Sequence, residues 1–172
     1  VSKVGLRIHS RFSSLHRAIG NPITTHQLLV VAADGTHATQ LTIPTETGDI
    51  TPAWSPDGDR IAFSSKGSIV VAKIQAINGV RSLDPAVKVS TPPAGSIDQH
   101  PTWSPDGRWI AFEQYPLSQL DQNGNSLTGQ LWIVAPGGTG LTQLTPGTVT
   151  PGTQVLPSGK PTWSPCFAPK TP

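Results

Sequence analysis

Pro52-Ala53-Trp54-Ser55-Pro56-Asp57-Gly58-Asp59-Arg60-Ile61-Ala62-Phe63 is answered further on by Pro101-Thr102-Trp103-Ser104-Pro105-Asp106-Gly107-Arg108-Trp109-Ile110-Ala111-Phe112, with nine of the twelve positions identical. A third copy begins at Pro161-Thr162-Trp163-Ser164-Pro165 and diverges at Cys166-Phe167. The tryptophans recur at intervals of 49 and 60 residues (103 minus 54, 163 minus 103). Self-similarity at this period marks a chain built from stacked supersecondary units. The longer second interval calls for an insertion. Tyr115 to Gly129, rich in Gln, Asn, Ser and Gly, supplies it, with a second loop at Thr148 to Gly159.

Each copy has a local physical reading. In Ser-Pro-Asp-Gly, Pro fixes φ at the first turn position, Asp tolerates the bridge or left-handed region, and Gly supplies φ > 0. The stretch therefore predicts a tight hairpin, with Trp54 or Trp103 on one strand and Ile-Ala-Phe on the next. A tryptophan there can anchor packing between neighbouring sheets. β-rich runs at Ser68 to Ile74 and Gln130 to Ala135 follow, and then a short closing strand such as Leu141 to Thr145, giving four strands per repeat. No 3.6-residue apolar period is sustained over ten residues, so the fold class is all-β with helices nearly absent. Leu6 to Ile19 is the one ambiguous stretch. Gly20-Asn21-Pro22 would end any helix there, and the stretch reads as a strand and a loop.

Composition agrees. The 172 residues include 17 Gly and 18 Pro, with only 13% charged residues, the profile of many short strands joined by turns. Net charge is +2 and the basic residues are dispersed, so nucleic acid is not an expected partner. No apolar stretch approaches the roughly 20 residues that cross a bilayer, and no membrane insertion is expected. Cys166 is the only cysteine, which leaves no intrachain disulfide and no zinc or haem spacing. The sequence begins at Val1 and lacks Met, which suggests a processed product or part of something longer.

The motif Trp54-Ser55-Pro56-Asp57-Gly58 with Ile61-Ala62-Phe63, repeated from Trp103 to Phe112, resembles the repeat of TolB-like β-propellers, the WD-like repeat. Leu29 to Thr42 and Leu131 to Thr145 resemble the latter half of such a repeat. The resemblance implies a single propeller unit over 1–172 of about three four-stranded blades. The first spans about 1–45 plus 160–166, the second about 50–92 and the third about 98–146. Propellers have about 4 to 8 blades, because fewer wedges cannot close a ring, so three should not stand alone. Val4 to His9 resembles a second strand, with no first strand before it, while Pro161 to Pro165 resembles a first strand without successors. The two ends complement one another. Completion of the first blade by the C-terminal strand, through ring closure or by exchange with another subunit, is therefore expected, with Val4, Leu6, Ile8, Pro161, Thr162, Trp163 and Cys166 at the contact. An unpaired sheet edge would drive it, and exchange gives a closed dimer or an open filament.

Candidate chemistry is sparse. Ser104, Asp106 and His100 are the parts of a nucleophilic triad. However, Ser55 and Asp57 duplicate the turn with no matching His, and no Gly-x-Ser-x-Gly elbow is present. His9, His16, His26, His37 and His100 are scattered. Asp121, Asn123, Asn125 and Ser126 have the start of a calcium-loop spacing, but the closing Glu is missing and Gly falls at 124. No catalytic residue, metal or cofactor is expected. Cys166 reads as a half-buried thiol, or as an interchain disulfide if the geometry allows. The tryptophans read as inter-blade packing, with Trp109 the most surface-facing.

The expected function is a non-catalytic binding and assembly module, periplasmic or extracellular, whose partners are copies of itself and other proteins. The Tyr115 to Gly129 loop is the expected recognition element. The alternative is the substrate-gating propeller of a larger hydrolase or peptidase. Carbohydrate binding is a weaker third reading.

Overall fold

The computed structural model describes residues 6–15, 23–32, 38–42, 49–77, 80–119, 129–145 and 161–163, with only the backbone described at 6–15, 23–26, 32, 49, 76–77, 80–81 and 119. Within them the chain forms three antiparallel sheets. The first has the order β1 (Leu6–Leu15), β2 (Ile23–Ala32), β3 (Thr39–Gln40). In the second, β4 (Asp49–Trp54), β5 (Arg60–Ser65), β6 (Ser68–Ile77) and β7 (Val80–Leu83) lie in sequence order, and β8 (Val87–Lys88) pairs with the first half of β6. The third contains β9 (Ser96–Trp103), β10 (Ile110–Pro116), β11 (Gln130–Val134) and β12 (Thr142–Gln143), again in sequence order.

The second sheet departs from the expected four strands. Its third strand runs on to Ile77 and folds back as β7, which pairs from Ile74↔Leu83 to Ile77↔Val80. The strand equivalent to the fourth of the other sheets is β8. Leu6 to Leu15 is a strand throughout, so the helical alternative for that stretch does not hold over those residues. The only helical turn among the described residues is the 3₁₀ turn Leu117–Gln119, which opens the insertion between β10 and β11. The second sheet joins the corresponding strands through Lys66-Gly67 alone. Both residues have positive φ (50° and 77°), the requirement of a type I′ hairpin.

Successive sheets stack face to face. Side chains alternate along each strand, so on β5 Ile61 and Phe63 enter one core while Ala62 enters the other. On β6, Val70 and Ala72 join the first core, whereas Ile69 and Val71 join the second. The first core lies between the first two sheets and includes Leu28. The second joins Val89 to Trp103, Ile110, Phe112 and Val134 of the third sheet. Burial of both faces explains why Ile69-Val70-Val71-Ala72 is continuously apolar rather than alternating.

The three sheets share one internal latch. The N–H of Leu28, Ile69 and Leu131 on the third strands donates to the hydroxyl of Thr42, Ser90 and Thr145, at 2.9, 2.8 and 2.9 Å. The carbonyl of the same three residues accepts the N–H of Leu41, Val89 and Leu144. These bonds align the blades residue by residue. By this register, β1 corresponds to β5 and β10, and the first sheet has no described counterpart of β4 and β9.

Candidate functional site

The repeated turns are wired alike. Ser55 Oγ donates to Asp57 Oδ1 (2.5 Å) and accepts the Arg60 N–H (2.9 Å), while Asp57 Oδ1 accepts the Asp59 N–H (3.0 Å). Ser104 Oγ donates to Asp106 Oδ1 (2.6 Å) and accepts the Trp109 N–H (2.9 Å), while Asp106 Oδ1 accepts the Arg108 N–H (3.1 Å). Gly58 and Gly107 complete the turns at φ 75° and 69°. The serine hydroxyl, followed by the backbone N–H, holds each carboxyl below the usual aspartate range. A hydroxyl that donates to its own turn carboxylate is occupied in shaping the hairpin. His100 does not join Ser104 and Asp106, because its Nδ1 faces Glu113 Oε2 at 2.9 Å.

Between blades, the tryptophans act through their N–H groups as well as their rings. Trp103 Nε1 donates 3.1 Å to the carbonyl of Ala53 on β4, and Arg60 stacks 4.8 Å from the Trp103 ring centre. One repeat later, Trp163 Nε1 donates 3.2 Å to the carbonyl of Thr102 on β9. In each case the acceptor is the residue just before the preceding repeat's tryptophan. Pro161 to Trp163 therefore lies on the third blade as β9 lies on the second, yet the segment belongs to none of the sheets. Trp54 is the first member of this series. Its Nε1 is buried with no hydrogen-bond partner.

A polar seam runs between the second and third blades. Thr51 and His100, both just before a proline, have φ of 52° and 55° and mark the register shifts of β4 and β9. The His100 N–H donates 3.2 Å to Thr51 Oγ1, and the Asp98 N–H donates 2.8 Å to the Gly67 carbonyl. Asp98 is fully buried, which raises its pKa against the opposing pull of the Ser90 hydroxyl and the Gln114 amide. Tyr115 donates to Gln99 Oε1 and is pushed up to about 12, first by burial and then by Glu113.

The outer face of the third blade is covered only in part, with Pro161 to Trp163 lying on it beside β9. Ala111, Leu131 and Ile133 hold the register positions that Ala62, Ile69 and Val71 fill in the core between the second and third blades. Leu144 corresponds to Val89. Val89 is 4% exposed and Leu144 is 51% exposed, whereas Ala111 on the same face is 5% exposed, so the face is open at Leu144.

The structure places Trp54, Ser55, Pro56, Asp57 and Gly58, and likewise Trp103, Ser104, Pro105, Asp106 and Gly107, at strand ends and hairpins. Trp163 reaches the third blade, and among the described residues no strand other than β2 pairs with β1. Leu6 and Ile8 lie on β1, paired with Ala32 and Val30. Val4, Ser164, Pro165 and Cys166 lie outside the described residues, as do His16, His37, Asp121, Asn123, Asn125, Ser126 and the Thr148 to Gly159 loop. Trp109 is more exposed than the buried Trp103. It is half-buried like Trp54, Trp132 and Trp163, with its ring against Gly140. Among the described residues no cluster of metal-ligating side chains forms, and no helix is long and apolar enough to cross a membrane. The latch hydroxyls and the Trp-to-carbonyl bonds were not expected from the sequence, although Leu-Thr at 41–42 and 144–145 carried part of the signal.

The sequence matches no protein-family model and no curated protein. Solved structures similar to it include one from Agrobacterium tumefaciens assigned to TolB, at 20% identity and TM-score 0.52, covering 78% of this chain and 44% of that one. TolB from Acinetobacter baumannii aligns at 20% identity and TM-score 0.42, over 70% of this chain and 26% of that one. An oligogalacturonate lyase in complex with manganese aligns at 18% identity and TM-score 0.48, over 72% and 31%. This chain thus spans less than half the length of each of these three structures. With three stacked antiparallel sheets and repeated Trp-Ser-Pro-Asp-Gly hairpins, the chain has the fold of part of a TolB-like β-propeller.

Proposed function

We propose that the chain is a non-catalytic, exported propeller module that assembles with copies of itself and presents its loops to other proteins. The observation that carries this reading is complementarity between its two ends as folded. The first sheet has no described strand beside β1 other than β2, whereas Pro161 to Trp163 holds the place of a first strand on the third blade without belonging to a sheet. The exposed Leu144 face adds apolar area that a further blade would bury, at roughly 25 cal/mol per Å². Export is the expectation that accompanies the resemblance of the repeated motif to TolB-like propellers.

Light scattering over a range of concentrations tests the reading. The full chain should have a mass above its single-chain 18.1 kDa, and Leu144→Glu should return it towards that value while keeping its sheet content. A well-folded single chain at every concentration would sink the assembly reading. Coverage of only 44% of the Agrobacterium structure favours a second reading in that event, in which the open surfaces belong to a larger propeller protein, such as a hydrolase that this unit gates.

A further inference from the structure

Resting on the self-assembly reading, we infer that two copies of the chain close a six-bladed ring in which the Thr162 carbonyl of each accepts the Trp54 indole N–H of the other. The chain already makes this contact twice within itself, from Trp103 to the Ala53 carbonyl and from Trp163 to the Thr102 carbonyl. Stepping back one repeat, Trp54 requires the carbonyl before a tryptophan on a strand paired with β1. No described strand fills that position, and Trp54 Nε1 is buried without an acceptor. A buried donor left unpaired is unfavourable, and the penalty is relieved by any arrangement that brings it an oxygen.

The identity of the acceptor follows from counting. Trp-Ser-Pro occurs three times, at 54, 103 and 163. The carbonyls before the first two are engaged at Ala53 and Thr102, which leaves Thr162, an exposed residue on the segment that belongs to no sheet. In a second copy that segment lies beside β1, and its carbonyl reaches Trp54 by the same step that the chain uses internally. Two copies of the three described sheets make six blades, a number within the about 4 to 8 that propellers hold. Two copies then meet across a two-fold axis, each lending one strand.

Trp54→Phe tests the bond, since it keeps the ring and removes the N–H. The dimer dissociation constant from sedimentation should rise about thirtyfold, the product of two equivalent hydrogen bonds. Single-chain stability should not fall. Trp103→Phe is the contrast, because its bond lies within one chain and its loss should lower single-chain stability. In the unsubstituted protein, hydrogen exchange at the Trp54 indole should slow as concentration rises through the dissociation constant. A dimer whose dissociation and Trp54 exchange are both unmoved overturns the bond and leaves assembly standing. Mass that grows without limit overturns the closed ring and leaves assembly standing. A chain that stays single at all concentrations overturns both.

Discussion

Ser104 carries more of its hairpin than its size suggests. Its side chain is buried, donates to Asp106 and accepts the Trp109 N–H, so removing the hydroxyl strands a donor and frees a carboxylate. Ser104→Ala should lower unfolding stability by about 1–2 kcal/mol, and Ser55→Ala by a similar amount, both read from urea midpoints at unchanged slope. The aspartates make opposite contributions with pH. Asp57 and Asp106 are held below the ordinary 3.8, so their stabilisation is present above that value and is lost as pH falls through their lowered folded range. Asp98 is raised above 3.8, so the folded state binds the extra proton and stability declines as pH climbs from 3.8 through the raised value. Asp98→Asn should therefore be more stable than the parent at neutral pH, with the gain fading below pH 3.8. A gain that persists in acid would mean that the effect is packing and not ionisation. At this scale the sequence was legible where the physics is local. Pro-Asp-Gly declares its turn, but the positive φ of Thr51 and His100 runs against the preference of residues before proline and is held only by the neighbouring blade.

At the scale of elements, the blade is held by bonds between third and fourth strands that no motif announces. The latch is one hydroxyl at Thr42, Ser90 and Thr145, and the fourth strands it closes are only two residues long. Such a strand has little pairing of its own. Ser90→Ala should cost about 1–3 kcal/mol because it leaves the buried Ile69 N–H without an acceptor. Thr145→Val should cost less, since Leu131 and Thr145 are half-buried and water can replace the hydroxyl. Equal losses in the two denaturation curves would count against burial as the deciding term. The β5–β6 hairpin was legible as two strands, yet its two-residue turn has a further constraint. A Cβ on Gly67 would stand 3.0 Å from Ile97 Cγ2, in a backbone conformation that L-residues rarely adopt. In the third blade the same position hosts the insertion from Leu117, which the 60-residue interval had foretold. What could not be read was the β6–β7 ribbon. Ile74 to Ile77 looks like the end of a strand until tertiary packing of Ile74 and Leu83 on the first core gives the fold-back a place to rest.

At the scale of the whole molecule, the proposed assembly would join two faces that differ in chemistry. The third blade offers Leu131, Ile133 and Leu144. The first sheet should meet them with the register positions that hold Ile61 and Phe63 in the second blade and Ile110 and Phe112 in the third. Pairing of Arg7 with Val31 and His9 with Leu29 puts Arg7 and His9 at those positions. In the proposed assembly Arg7 and His9 hold register positions that apolar residues hold in the other two blades, so association should be concentration-dependent and weaker than folding. This reading makes a directional prediction. Arg7→Ile combined with His9→Phe should tighten assembly, by about tenfold or more given about 1–2 kcal/mol for newly buried apolar side chains, while leaving stoichiometry unchanged in light scattering. If the double variant instead aggregates without a defined mass, these positions face solvent in the assembled protein and the first sheet does not meet the third blade of a second copy. If association weakens, Arg7 or His9 makes a favourable contact across the interface, and the outer face of the third blade must present its acceptor.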